Sequence, residues 1–172
     1  MELAKNNGKY LFIRDLNGNV PVFSQYQHTL NDFNKEVMKT NINQQSAEDS
    51  LEKLRKPMIN SMRLGSNYVI NIGSMTPDFK SQFTSDSIFP ADKVFDREHW
   101  FEHDNYIKFV KEDENFGLGG LNPGHYYMAK DFNLVIVSDA EDEEDIQAQL
   151  DAIPHSDKFE KITIQWTAPF IL

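Results

Sequence analysis

Phe132-Asn-Leu-Val-Ile-Val137 is an almost unbroken apolar run, rich in β-branched residues and too short for a core helix. Asn67-Tyr-Val-Ile-Asn-Ile72 is a second such run, set between Gly65 and Gly73. A strand with one solvated face alternates polar and apolar residues. A strand buried on both faces does not, and that is the pattern of parallel sheets covered by helices. These two runs therefore predict buried strands of a mainly parallel central sheet.

Working outward, the segments between the runs read as helices. Ser46 with Asp49 three residues on opens a helix in near capping-box fashion. Leu51, Leu54, Met58 and Met62 then recur at helical spacing. Pro57 lacks an N–H, so a kink or split is expected there, and Gly65 supplies the stop. Thr29 is expected to cap an earlier helix carrying Leu30, Phe33 and Val37. Lys9-Tyr-Leu-Phe-Ile13 is a short strand leading into the turn Asp15-Leu-Asn-Gly-Asn19. Residues 80–96 are expected to be irregular, with Phe79, Phe83, Ile88, Phe89 and Phe95 as anchors. Tyr106–Val110 and Tyr126–Met128 are expected to be strands. Ile146, Leu150 and Ile153 form the stripe of a helix closed by Pro154. Ile162, Ile164 and Trp166 alternate as a last strand. The expectation is a single α/β domain over residues 1–172, with a mainly parallel central sheet flanked by helices.

The balance of 17 basic and 27 acidic residues gives a net charge of −10. That excludes a nucleic-acid backbone binder, which needs a basic face, and argues against attraction to anionic lipid. No apolar run approaches the ~20 residues of a membrane helix. The opening Met1–Asn7 has no signal-peptide core. The absence of Cys excludes disulfides, thiolate zinc sites, iron–sulfur clusters and a Cys nucleophile, and fits a reducing, cytoplasmic setting. The acidity is local. Asp139, Glu141, Asp142, Glu143, Glu144, Asp145 and Asp151 lie within one segment that has no Lys or Arg. Carboxylates suit a helix N-terminus, and here they also form a candidate surface for a basic protein partner. Asp142, Glu143, Glu144 and Asp145, with the aromatic Trp100 and Phe101, are the candidate partner-binding residues.

Two motifs raise other chemistry. His99-Trp100-Phe101-Glu102-His103 fits H-x-x-E-H. On a continuous helix its histidines would share one face and could share a Zn²⁺, with Glu102 as base in a hydrolase. A third ligand would still be required. Gly117-Leu-Gly119-Gly120-Leu-Asn-Pro-Gly124 is glycine-rich, but Asn122 stands where a dinucleotide fingerprint needs its last Gly. No G-x-x-x-x-G-K-[ST] loop occurs, since Gly8-Lys9 precedes a strand and is followed by Tyr10. No cofactor is expected on these grounds, and an inactive nucleotide-binding module stands as an alternative.

Four stretches together resemble a degenerate AAA-type unit, the fifth of dynein heavy chains. They are Tyr10–Asp15; Leu51–Gly65 with Asn67–Gly73 and Thr76-Pro77; Tyr106–Lys111 with Tyr126–Ser138; and Ile153–Gln165. In that family the second corresponds to a helix and a Walker B-like strand, and the third to a strand and a sensor strand ending in Ser or Thr. The family's acid at the Walker B-like strand end is replaced by Asn71, and its phosphate loop is missing. The resemblance implies a P-loop-like fold without motor activity, and an axonemal setting in cilia. Similar relic modules are ascribed to non-motor axonemal proteins with IQ motifs and ankyrin repeats. The resulting expectation is a non-catalytic structural or docking module.

Overall fold

A computed structural model describes residues 8–120 and 122–165. The polar opening Met1–Asn7 and the predicted strand position Trp166 lie outside the described residues. Among the described residues, five strands form one all-parallel sheet: β1 (Leu11–Asp15), β2 (Thr29–Asn31), β3 (Asn67–Asn71), β4 (Asn133–Ser138) and β5 (Glu160–Ile164). The spatial order is β2-β3-β4-β1-β5. The two continuous apolar runs are both strands of this sheet, as their composition predicts, and they lie next to each other. All six residues of β4 are buried.

Among the described residues the α-helices are α1 (Asn19–Gln27), α2 (Phe33–Asn41), α3 (Ala47–Leu64), the short α4 (Ala91–Phe95), α5 (Arg97–Trp100) and α6 (His103–Tyr106), and α7 (Glu143–Ala152). Parallel crossovers are right-handed, so their direction along the sheet sets the face they cover. Only the step from β1 to β2 runs against the other three. Accordingly α1 packs its Val20 with Leu11, Ile13, Val69, Val135 and Val137. The opposite face, with Phe12, Tyr68, Ile70, Leu134 and Ile136, carries the main core of α2, α3, α7 and the long 72–132 connection.

That connection is held by rings. Phe79 stacks on Phe33 at 5.5 Å and meets Phe95 edge-on at 5.0 Å. Phe79, Phe83, Phe89 and Phe95 are fully buried, which confirms them as anchors, and Ile88 is partly buried against them.

Ser46 caps α3, accepting a hydrogen bond from the Asp49 backbone N–H at 3.0 Å, and Gly65 ends it in the left-handed region at φ 67°. The helix is not split at Pro57. Proline removes the donor that would meet the Lys53 carbonyl. The Asn31 side-chain amide takes its place, donating to that carbonyl at 2.9 Å. Leu150 and Ile153 of the predicted stripe are buried in the main core, with Ile146 packed against it.

Four expectations are corrected. Residues 80–96 are not irregular throughout, because Ala91–Phe95 form α4. Thr29 does not cap a helix. Thr29–Asn31 pairs with Tyr68–Ile70, and the helix starts at Phe33 after Asp32. Leu30 belongs to the α1-side cluster, away from the stripe of Phe33 and Val37. Tyr106–Val110 is not a strand but the end of α6 and a 3-10 turn, which buries Tyr106 and Phe109 three residues apart. Tyr126–Met128 has no regular secondary structure and joins no ladder among the described residues. The Tyr126 N–H donates to the Asn115 side chain at 3.1 Å and the Ala129 N–H to the Met62 carbonyl at 2.8 Å, so helix ends and side chains replace a partner strand.

Candidate functional site at the carboxyl edge of the sheet

In open parallel sheets ligands bind outside the carboxyl ends of the strands, where neighbouring connections leave to opposite faces. Here that point lies between β1, which leaves through α1, and β4, which leaves through α7.

The step from β1 to α1 has only Leu16, Asn17 and Gly18. Gly18 sits at φ 66°, a conformation that disfavours any side chain. This tight turn folds the wholly buried Asp15 carboxylate onto the start of α1. It accepts from the Val20 N–H at 2.6 Å and from the Asn17 N–H at 3.3 Å. A helix N-terminus attracts anions, and in this chain its own carboxylate is that anion.

The neighbouring strand ends are also occupied from within. Asn71 donates to Asp32 at 3.1 Å and accepts from the Gly73 N–H at 3.1 Å. Asp32 is held below the usual carboxylate range: burial opposes its ionisation, but hydrogen bonds from Lys35 and Asn71 outweigh it. Ser138, fully buried, accepts from the Ala140 N–H at 3.1 Å.

The acidic segment is anchored here by its backbone. Arg14, next to Asp15 on β1, donates through Nε to the Ala140 carbonyl at 3.1 Å. Its guanidinium also meets the Glu141 carbonyl and the Glu143 carboxylate. From α7, the buried Gln149 donates to the carbonyls of Gly73 and Met75 at 3.0 and 2.9 Å. These bonds hold the segment in place while Glu141, Asp142, Glu143, Glu144 and Asp145 stay exposed. Even in its ion pair, the Glu143 side chain is 83% exposed.

The other predicted residues lie elsewhere. Trp100 is wholly buried against Phe109, with ring centroids 5.5 Å apart, and is removed from any docking surface. Phe101 is partly buried beneath the Arg97 guanidinium, 4.2 Å from the ring centroid. The H-x-x-E-H motif is broken. His99 belongs to α5 and His103 opens α6, with Glu102 extended at ψ 126° between them, so the one-face spacing of a continuous helix is lost. The His103 ring lies 5.2 Å from those of Tyr106 and Tyr127. Among the described residues, no group of three His, Asp or Glu is placed to hold a metal ion. The glycine-rich loop follows a 3-10 turn rather than a strand, and the Gly124 N–H closes it onto the Asn115 carbonyl at 2.7 Å. No helix among the described residues is long and apolar enough to cross a membrane.

Sequence reasoning passed over Arg14, Asp15 and Gln149. Gln149 did leave a trace, as a polar residue at a core position between Ile146 and Ile153. It also passed over an apolar groove of about 340 Å³ under α1, lined by Ile13, Val20, Phe23, Val69, Val135 and Ile164, with Ser24, His28 and Asn67 among its polar members.

Fold and site together define a five-stranded parallel α/β domain whose switch point is occupied by its own side chains. No protein family, curated protein or solved structure matches the chain.

Proposed function

We propose that this chain is a non-catalytic docking module that presents its acidic α7 start to a basic protein surface. The observation that carries the reading is the contrast between a fixed backbone and exposed carboxylates. Arg14 and Gln149 pin residues 140–149, while Asp142, Glu144 and Asp145 point their charge to water. A pre-ordered patch of one sign steers a partner of the other sign and fixes its register. The buried Asp15 carboxylate supports a role other than nucleotide hydrolysis. It covers N–H groups that a phosphate would need and repels a second anion. An axonemal setting rests on the resemblance to dynein AAA units alone, and fluorescent tagging in ciliated cells tests it separately.

The docking reading is tested by replacing Asp142, Glu143, Glu144 and Asp145 with their amides. Pull-downs from ciliary extract at low and high salt should lose basic partners, chiefly at low salt, with the fold unchanged by circular dichroism. Retention of every partner at both salts would place docking elsewhere or nowhere on this domain.

A further inference from the structure

The turn between β1 and α1 contains the pair Asn17-Gly18. Asn is among the thermolabile residues. Its side-chain carbonyl carbon can close a five-membered ring with the backbone nitrogen of the next residue. A bulky next residue hinders that closure, and so does a helix or strand that fixes the backbone. Neither obstacle is present here. Gly18 has no Cβ, and among the described residues no other Asn is followed by Gly. Asn17 and Gly18 are both exposed, and they lie between the end of β1 and the start of α1. Beyond the chain neighbours, no atom lies within 4 Å of where a Gly18 Cβ would stand. The Gly18 N–H donates to the Asp15 carbonyl at 3.3 Å, beyond the usual length of such a bond. By contrast, Asn67, Asn71 and Asn133 lie in strands and Asn34 and Asn60 in helices, each followed by a residue with a side chain.

We propose that Asn17 is a site of spontaneous deamidation, and that its isoaspartyl product releases the start of α1. The Gly18 nitrogen attacks the Asn17 Cγ and forms a new C–N bond. The Cγ–Nδ2 bond breaks, and the amide leaves as ammonia, carrying the proton lost from Gly18. Water then opens the cyclic imide. Opening at Cγ gives Asp, and opening at the main-chain carbonyl gives isoaspartate, whose peptide link runs through Cγ.

The two products differ in what they do to the turn. Both add a carboxylate, which a helix start accommodates. Only isoaspartate lengthens the backbone, by one carbon, within the three-residue turn that sets the Asp15 carboxylate 2.6 Å from the Val20 N–H. The longer turn carries the first residues of α1 away from Asp15 and opens that bond. This site does not rest on the docking role of α7.

The test is to age the whole folded chain in mildly alkaline buffer. Peptide mapping by mass spectrometry, with isoaspartyl methyltransferase labelling, then follows each Asn. Trypsin cuts after Arg14 and so separates Asn17 from the Asn7-Gly8 pair, whose Asn7 lies outside the described residues. Label should accumulate at position 17 ahead of every other described Asn, and Asn17→Gln should remove it there. Isoaspartyl chains, isolated by ion exchange, should lose hydrogen-exchange protection at the Val20 amide. Asn17→Asp, which adds the charge without the extra carbon, should keep that protection. No conversion at Asn17 in the folded chain, under conditions in which the urea-unfolded chain converts there, overturns the site. Unchanged Val20 protection in the isoaspartyl chain, or an equal loss in Asn17→Asp, overturns the release of α1 by a lengthened turn.

Discussion

Asp15 shows how one side chain changes what a fold can do. Its carboxylate closes the β1–α1 turn and takes two backbone donors. Truncation leaves the Val20 N–H buried without an acceptor. Asp15→Ala should cost about 0.5–2 kcal/mol, as loss of a helix-start acceptor does, read as a lower urea midpoint at constant slope. Calorimetry of the wild-type chain with Mg·ATP should give no micromolar binding, because the anion position is filled and no loop Lys reaches the phosphates. The sequence exposed part of this. The missing phosphate loop and Asn71 in place of an acid were both visible. That Asp15 itself fills the gap was not, because a residue read only as turn-forming is silent about which N–H groups its side chain can reach.

At the scale of elements, α3 was the most legible and the segments 19–31 and 106–128 the least. The α3 stripe, cap and stop all agree, so local and tertiary preferences point one way. In α1, by contrast, Val22 and Tyr26 are exposed beside buried Val20 and Ser24, and no clean apolar face advertises the helix. Tyr106–Val110 and Tyr126–Met128 have strand-like composition, but tertiary packing decides their shape. Pro57 marks where sequence alone stopped short within α3. It announces a missing donor but not the group that compensates. The Asn31 amide donates to both the Lys53 carbonyl and the Tyr68 hydroxyl, at 2.9 and 3.0 Å, and so ties α3 to β2 and β3. Asn31→Ala should cost about 0.5–1.5 kcal/mol. Pro57→Ala restores the helix's own donor, and in that background the Asn31→Ala cost should fall by half or more, a coupling that a double-mutant cycle measures directly. An equal cost in both backgrounds would mean that Asn31 acts through Tyr68 alone.

At the scale of the whole molecule, two charge networks tie α3 to its surroundings, and they set the response to acid. Glu36 on α2 binds Lys39, Gln45 and the α3 residue Lys53. Burial raises its pKa, but these hydrogen bonds prevail and bring it from the ordinary 4.5 down to about 2. On the far side, Arg55 is 1% exposed and is shared between Glu52 and Glu114. Its hydrogen bonds, reinforced by Lys111, bring Glu52 down to about 2. In Glu114 burial opposes the same pull, yet the carboxyl is still lowered. Each of these groups has a lower pKa folded than unfolded, so below about pH 4.5 the unfolded chain takes up protons first. Their stabilisation is complete above that value and fades as the pH falls towards 2. Urea midpoints should therefore hold steady from neutrality to about pH 5, then drop steeply. Glu36→Gln should lower the plateau and flatten the drop, because a group that no longer titrates cannot contribute to the slope. Glu114→Gln should do the same at greater cost, since it leaves a buried guanidinium half-paired. Breaking such a pair costs roughly 3–5 kcal/mol, and here Glu52 retains part of it. If both variants kept the wild-type slope between pH 5 and 2, acid sensitivity would have to come from other carboxylates.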